Sequence, residues 1–156
     1  MNCLPAFVKK EVYFLHRFIF SSIFVPVIRR DMKYLILHNN YFLLRVTAAQ
    51  IVYVSSDGSY SILKLISGEE HTFSFNLATM ERQMESQLDN EAHGFIRVGR
   101  GLIVNSAYIH SINLTHQELV LWNEHFTEPL VVKVPKEALR SLKYMIEDTI
   151  GTKEDE

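Results

Sequence analysis

The chain has a single cysteine, Cys3, so no disulfide can close within it and no zinc-spaced cysteines exist. That scarcity points to a reducing compartment. It has no basic excess either: 16 Lys and Arg stand against 18 Asp and Glu, for a net charge of −2. Unspecific coating of nucleic acid runs on counterion release from a large basic surface, and this composition excludes it. A small basic patch that reads a defined sequence is still allowed. Catalytic signatures are missing as well. There are seven histidines, but His110, His116 and His125 fall in or beside separate strands and turns, with no i, i+4 pair and no carboxylate at ligand spacing, so no metal is expected. Gly-x-Ser-x-Gly does not occur, and Gly99-Arg100-Gly101 lacks the third glycine and following helix of a dinucleotide fingerprint. Neither an enzyme nor a cofactor is expected. Internal repeats, low-complexity tracts and linkers are absent from residues 32–150. What is present is a chain of 156 residues, 47% hydrophobic and 12% aromatic, enough for one domain with one core.

The first 31 residues differ from the rest. They carry five basic and two acidic side chains, a balance of +3 that leaves −5 for residues 32–156. Residues 12–28 are strongly apolar, with Phe14, Leu15, Phe18, Ile19, Phe20, Ile23, Phe24 and Val25. His16-Arg17 interrupts them, and the clean run over 18–28 is well short of the ~20 residues a helix needs to cross a bilayer. No small-residue cleavage site follows. Met32-Lys33-Tyr34-Leu35-Ile36-Leu37 suits a first strand, and Arg29-Arg30 fits the in-frame translation of a purine-rich ribosome-binding sequence. Residues 1–31 are therefore taken first as an extension that is dispensable or outside the native protein. A membrane-associated arm comes second and a true span third.

From residue 34 the punctuation is that of short strands. Runs at 34–38, 41–46, 50–54, 60–66 and 69–75 are separated by Asn39-Asn40, by a turn over 55–59 and by Ser67-Gly68. Ile62, Lys64 and Ile66 fall on one side of their strand, Leu63 and Leu65 on the other, as in a strand covered on both faces. His71, Phe73 and Phe75 share a face. These runs predict a meander of about four strands ahead of any helix. Asn76 is a suitable N-cap for a helix over 77–88, whose Leu77, Met80, Met84 and Leu88 repeat at helical spacing while Glu81, Arg82, Gln83 and Glu85 turn to water. Strands follow at 108–114 and 118–122, joined through Thr115-His116-Gln117, and at 130–134. Pro135 suits the first position of a terminal helix. That helix carries Ala138, Leu139, Leu142, Met145 and Ile146 on one face. An acidic, frayed tail is expected over 151–156.

Between the two helices lies Phe95-Ile96-Arg97-Val98-Gly99-Arg100-Gly101-Leu102-Ile103-Val104-Asn105. It has the pattern of a strand, a basic hinge and a second strand. Arg97 and Arg100 stand three apart around two glycines, where the backbone can take positive φ and approach another surface. Guanidiniums so placed suit a phosphate or a guanine edge. A surface turn with two solvated arginines satisfies the same local chemistry.

Phe-Ile-Arg-Val-x-Arg-x-x-Ile-Val-Asn-x-x-x-Ile is similar to the core signature of LytTR-type DNA-binding domains, a bacterial response-regulator output family. The resemblance runs from Ile51-Val52-Tyr53-Val54 through Asp57-Gly58-Ser59-Tyr60, Asn76-Leu77 and the 95–109 signature to Lys136-Glu137-Ala138-Leu139. It implies a mainly β (α+β) fold, with antiparallel strands in small sheets and one central and one C-terminal helix. It also implies a cytoplasmic transcription regulator that sets loops into successive major grooves of double-stranded DNA carrying direct repeats, one protomer per repeat. Base reading would fall to Tyr60, Arg100, Lys136 and Glu137. Phosphate contact or support would fall to Ser59, Arg97, Gly99, Gly101, Asn105 and Arg140. The chain resembles a stand-alone regulator without a receiver domain, governed by its own concentration or a partner protein. It departs from the pattern at Gly99, where members often carry His or Lys, and at Gly101, where they often carry Ser. It departs again at Pro135-Lys136-Glu137, where Ser and basic residues are common. Glu137 would repel the DNA backbone unless it accepts from a cytosine amino group. The competing reading is a protein-interaction or membrane-associated β domain using its apolar N-terminal arm.

Overall fold

The computed structural model describes residues 32–151; the extension expected over 1–31 and the tail from 152 onward lie outside the described residues. Among the described residues, ten strands form three antiparallel sheets, accompanied by two α-helices. Strands β1 (Leu35–His38) and β2 (Leu43–Val46) form a hairpin of their own. Strands β3 (Ile51–Ser56), β4 (Ser61–Leu65), β5 (Glu70–Phe73), β6 (Phe95–Val98) and β7 (Leu102–Asn105) form a five-stranded sheet in the order β5-β4-β3-β7-β6. Strands β8 (Ile109–Asn113), β9 (Glu118–Leu121) and β10 (Leu130–Lys133) make the third sheet, in the order β10-β9-β8. The fold is mainly β, as expected. The single meander is corrected, because the 35–46 hairpin stands apart and only β3, β4 and β5 run on as neighbours.

Helix α1 (Leu77–Leu88) begins where the sequence places it: the Asn76 side chain accepts from the Thr79 N–H at 2.9 Å, meeting one of the donors a helix start leaves open. Leu77, Met80, Met84 and Leu88 are all buried, each side chain contributing about 1.5–3 kcal/mol by leaving water. They pack with Leu35, Leu37, Val54, Leu63 and Ile103 in one core on one face of the large sheet. A second core on the opposite face gathers Val52, Leu102, Val104, Leu119, Leu121, Leu139 and Leu142. Strand β7 feeds both, so all four of its residues are buried. Strand β3 does so through a bulge: the register slips between Ile51 and Tyr53, which puts Val52 and Tyr53 on the second-core side and leaves Ile51 and Val54 on the first.

Four local expectations are corrected. Ser55 and Ser56 continue β3, because Ser56 pairs with Ser61 and the turn proper is only residues 57–60. Pro135 lies one position before α2 (Lys136–Gly151), and its carbonyl accepts from Leu139 N at 3.1 Å, so it occupies the capping position, not the first helical one. Gly151 belongs to that helix, and Met145, expected on its buried face, is about half exposed.

Candidate nucleic-acid interface

Strand pairing sets two turns at the same end of the large sheet. Strands β3 and β4 close on the pair Ser56–Ser61 and β6 and β7 on Val98–Leu102, while Ser55 lies opposite Leu102. The turns touch: Ser56 N donates to Gly101 O at 2.8 Å. The second turn also meets α2. Gly99 has φ +63°, and a Cβ added there would lie 3.2 Å from the Cβ of Ala138. A side chain at position 99 would be strained by its backbone and crowded by the helix. Turn 57–60, turn 99–101 and the start of α2 therefore form one contiguous edge.

Arg97 underpins that edge. Its Nε donates to Gly99 O (3.1 Å), its Nη2 to Arg100 O (2.8 Å) and its Nη1 to Glu81 Oε2 on α1 (2.8 Å). One planar guanidinium, with five donors in fixed directions, holds two turn carbonyls and a carboxylate at once. It also masks two carbonyl dipoles that would otherwise repel a phosphate. Glu81, expected to face water, is thus a structural partner that sequence reasoning missed; nothing in its helical spacing distinguishes it from Glu85. Arg100 has the opposite surroundings. It is exposed, and its guanidinium has no partner among the described residues.

The other expected residues divide in the same way. Tyr60 is 49% exposed beside the exposed Ser59. The turn beneath them is closed by Asp57 N to Tyr60 O (3.2 Å) and by the Ser56 hydroxyl donating to Tyr60 O (3.1 Å). Lys136 is exposed and without a partner among the described residues. Glu137 holds Arg140 through both carboxylate oxygens at 2.9 Å, an exposed i, i+3 pair worth little and readily exchanged. Gly101 is exposed at the contact between the two turns. Asn105 is buried: its amide donates to Ile51 O (2.9 Å) and Ala48 O (3.2 Å), and its carbonyl accepts from Ala107 N (3.1 Å). Its place is inside the fold, tying β7 to the start of β3, and no phosphate can reach it.

Among the described residues, no group of three or more His, Cys, Asp or Glu could hold a metal ion. Nor is any helix there long and apolar enough to cross a membrane.

The architecture is similar to that of the LytTr DNA-binding domain of a protein described as a methyl-accepting/DNA response regulator from Bacillus cereus. The TM-score is 0.51 at 17% identity, over 73% of this chain and 96% of that one, a likeness of fold alone. No curated protein matches the chain. The family model for the LytTr DNA-binding domain matches residues 42–147, more than half of the sequence and all of the edge described above. The chain belongs to the LytTR family, whose domains bind DNA in transcription regulation.

Proposed function

We propose that this protein is a sequence-specific transcription regulator of the cytoplasm that reads double-stranded DNA by setting loops into successive major grooves. The observation that carries the reading is the contiguous edge, in which Ser56 bonds to Gly101 and Gly99 lies against Ala138. Arg100 and Lys136 are its unpaired cations, and both are exposed. Arg100 suits the O6/N7 edge of a guanine, the commonest specific contact in a major groove. Tyr60 offers a ring and a hydroxyl from the neighbouring turn. Glu137 can leave Arg140 to accept from a cytosine amino group, which frees Arg140 for a phosphate.

One edge of this size covers too little DNA for high specificity alone. The protein therefore acts as a monomer in solution and joins a second protomer on direct repeats spaced near one helical turn. Sequencing the fragments it retains from a random pool tests the reading. A repeated motif is expected, and inserting half a turn between its copies abolishes joint occupancy in a mobility-shift titration. Retention without any sequence preference overturns it.

A second reading, a protein-interaction domain, draws on a groove of about 690 Å³ whose apolar lining is Ile96, Ile109, Ile112, Met145, Ile146 and Ile150, with polar side chains among them. Salt separates the two, because phosphate-driven binding weakens steeply as salt rises and apolar association does not.

A further inference from the structure

We propose that the turn between β8 and β9 is a fourth DNA-contacting segment, in which the Nε2–H of His116 donates to a backbone phosphate beside the groove occupied by the start of α2. The inference rests on the DNA-reading edge and extends it along the duplex.

Placement comes first. Val134 N donates to Gln117 O at 3.0 Å, which stitches this turn to the residue two before Lys136. His116, Gln117, Lys133, Val134 and Pro135 line one open depression of about 390 Å³ between the turn and the helix start. A duplex that receives the start of α2 in a groove has its flanking backbone on that side.

The chemistry of the ring is set by its neighbour. Asn113 Oδ1 accepts from both Thr115 N and His116 N, each at 3.0 Å. Two backbone donors on one oxygen fix which end of the carboxamide is oxygen. Its Nδ2 therefore faces His116 Nδ1, 3.0 Å away, as a donor. A ring nitrogen that accepts carries no proton, so the neutral imidazole holds its hydrogen on Nε2. Nδ1 is turned into the turn, and Nε2, on the far side of an exposed ring, presents the donor outward.

The local charge does not oppose a phosphate. Lys133 donates to Glu118 Oε1 at 2.7 Å and to His116 O at 3.3 Å. That hydrogen bond from Lys133 holds the Glu118 carboxyl below the usual carboxylate range, so acid and base stay matched at neutral pH. Lys136, exposed and without a partner among the described residues, follows three positions after Lys133. A neutral donor locked to its own turn suits a fixed phosphate oxygen better than a base edge that varies with sequence.

The test uses a fragment retained by the wild-type protein, with affinities measured over a range of salt. His116→Ala is expected to weaken binding about tenfold, the lower end for one hydrogen bond to a charged oxygen. The loss is the same on every single-base variant of the fragment, and the salt slope is unchanged. Lys136→Ala, by contrast, makes the slope shallower by about 0.9, as one lost phosphate ion pair requires. His116→Gln, whose amide carries a donor near the position of Nε2, recovers most of the affinity. In the free protein, nitrogen NMR shows the His116 proton on Nε2, and its signal moves when DNA is added. Wild-type affinity in His116→Ala overturns the fourth contact while leaving the other three segments standing. Equal losses in the Ala and Gln variants, or a loss confined to one base pair, also overturn it. A wild-type protein that retains no fragment defeats the DNA-reading edge itself.

Discussion

The turns at 57–60 and 99–101 leave the same end of the same sheet, yet they are held by different means. The second is fixed from outside itself. Arg97 grips two of its carbonyls and anchors them to Glu81, Ala138 crowds Gly99, and Ser56 takes the carbonyl of Gly101. The first is closed mostly by its own atoms, through Asp57 N, Ser59 N and the Ser56 hydroxyl, and a Cβ on Gly58 would meet nothing within 4 Å. A loop ordered in advance does not lose that freedom on binding, whereas a self-held loop adapts at some entropic cost. The pinned turn is therefore the natural place for a contact demanding fixed geometry, such as a bidentate guanidinium on one base. The looser turn suits a ring that adjusts to the DNA it meets.

The largest expected effect tests whether the pinned turn reads a base at all. Arg100→Ala should cost about 1–3 kcal/mol of affinity, concentrated at one operator position, with no change in melting midpoint because the side chain supports nothing in the fold. Affinities on a set of single-base operator variants decide it. A uniform loss reassigns Arg100 to phosphate, and no loss removes it from the interface.

Next is Gly99→Ala. A left-handed conformation costs an L-residue about 1–2 kcal/mol, and the approach to Ala138 adds to that. The melting midpoint falls, and affinity falls with it, because the turn and the helix must shift apart. Thermal unfolding and a titration on the same operator measure both.

Arg97→Lys is smaller. The charge stays, and so does one bond, to Glu81 or to a carbonyl, but the fork is lost. We expect a stability loss of about 1–1.5 kcal/mol, together with weaker discrimination at the position Arg100 reads. Unchanged melting and unchanged discrimination would mean that the turn is not held from below.

These two arginines also show where the sequence stops being informative. Read along the chain, Arg97 stands in a strand between Ile96 and Val98 and Arg100 between two glycines, which marks the first for phosphate contact or support and the second for base reading. The partner that holds Arg97 is Glu81, sixteen residues away on another element, and long-range partners leave no local trace. Ala138 is equally silent, being one small residue on an amphipathic helix until the fold sets it against Gly99. Local signals were legible. Asn76 with four apolar positions at helical spacing located α1 to the residue, and the apolar run of β7 announced a strand between two cores. The bulge at Val52 was not legible, because its apolar residues fit either face and only the partner strand's register fixes them. For the same reason Asn105 could be marked as important by its motif, but its place inside the fold could not be read.

The smallest expected effect sharpens the comparison most, because it isolates one variable. Gly58 and Gly99 have similar backbones, at φ +77° and +63°, but only Gly99 has a neighbour that a Cβ would crowd. Gly58→Ala therefore carries the conformational cost alone, the same about 1–2 kcal/mol, partly offset by the reduced freedom of the unfolded chain. Subtracting its effect from that of Gly99→Ala leaves the contribution of the Ala138 contact. The two glycines share no hydrogen bond and no partner among the described residues, so their effects should add in the double variant. On DNA the contrast runs further: a self-held turn can relax around the new methyl, so Gly58→Ala should leave affinity within about twofold, whereas Gly99→Ala should not. Equal losses of stability and affinity from the two substitutions would show that the 99–101 turn gains nothing from its outside supports, and the distinction between a pinned and an adaptable turn would fall.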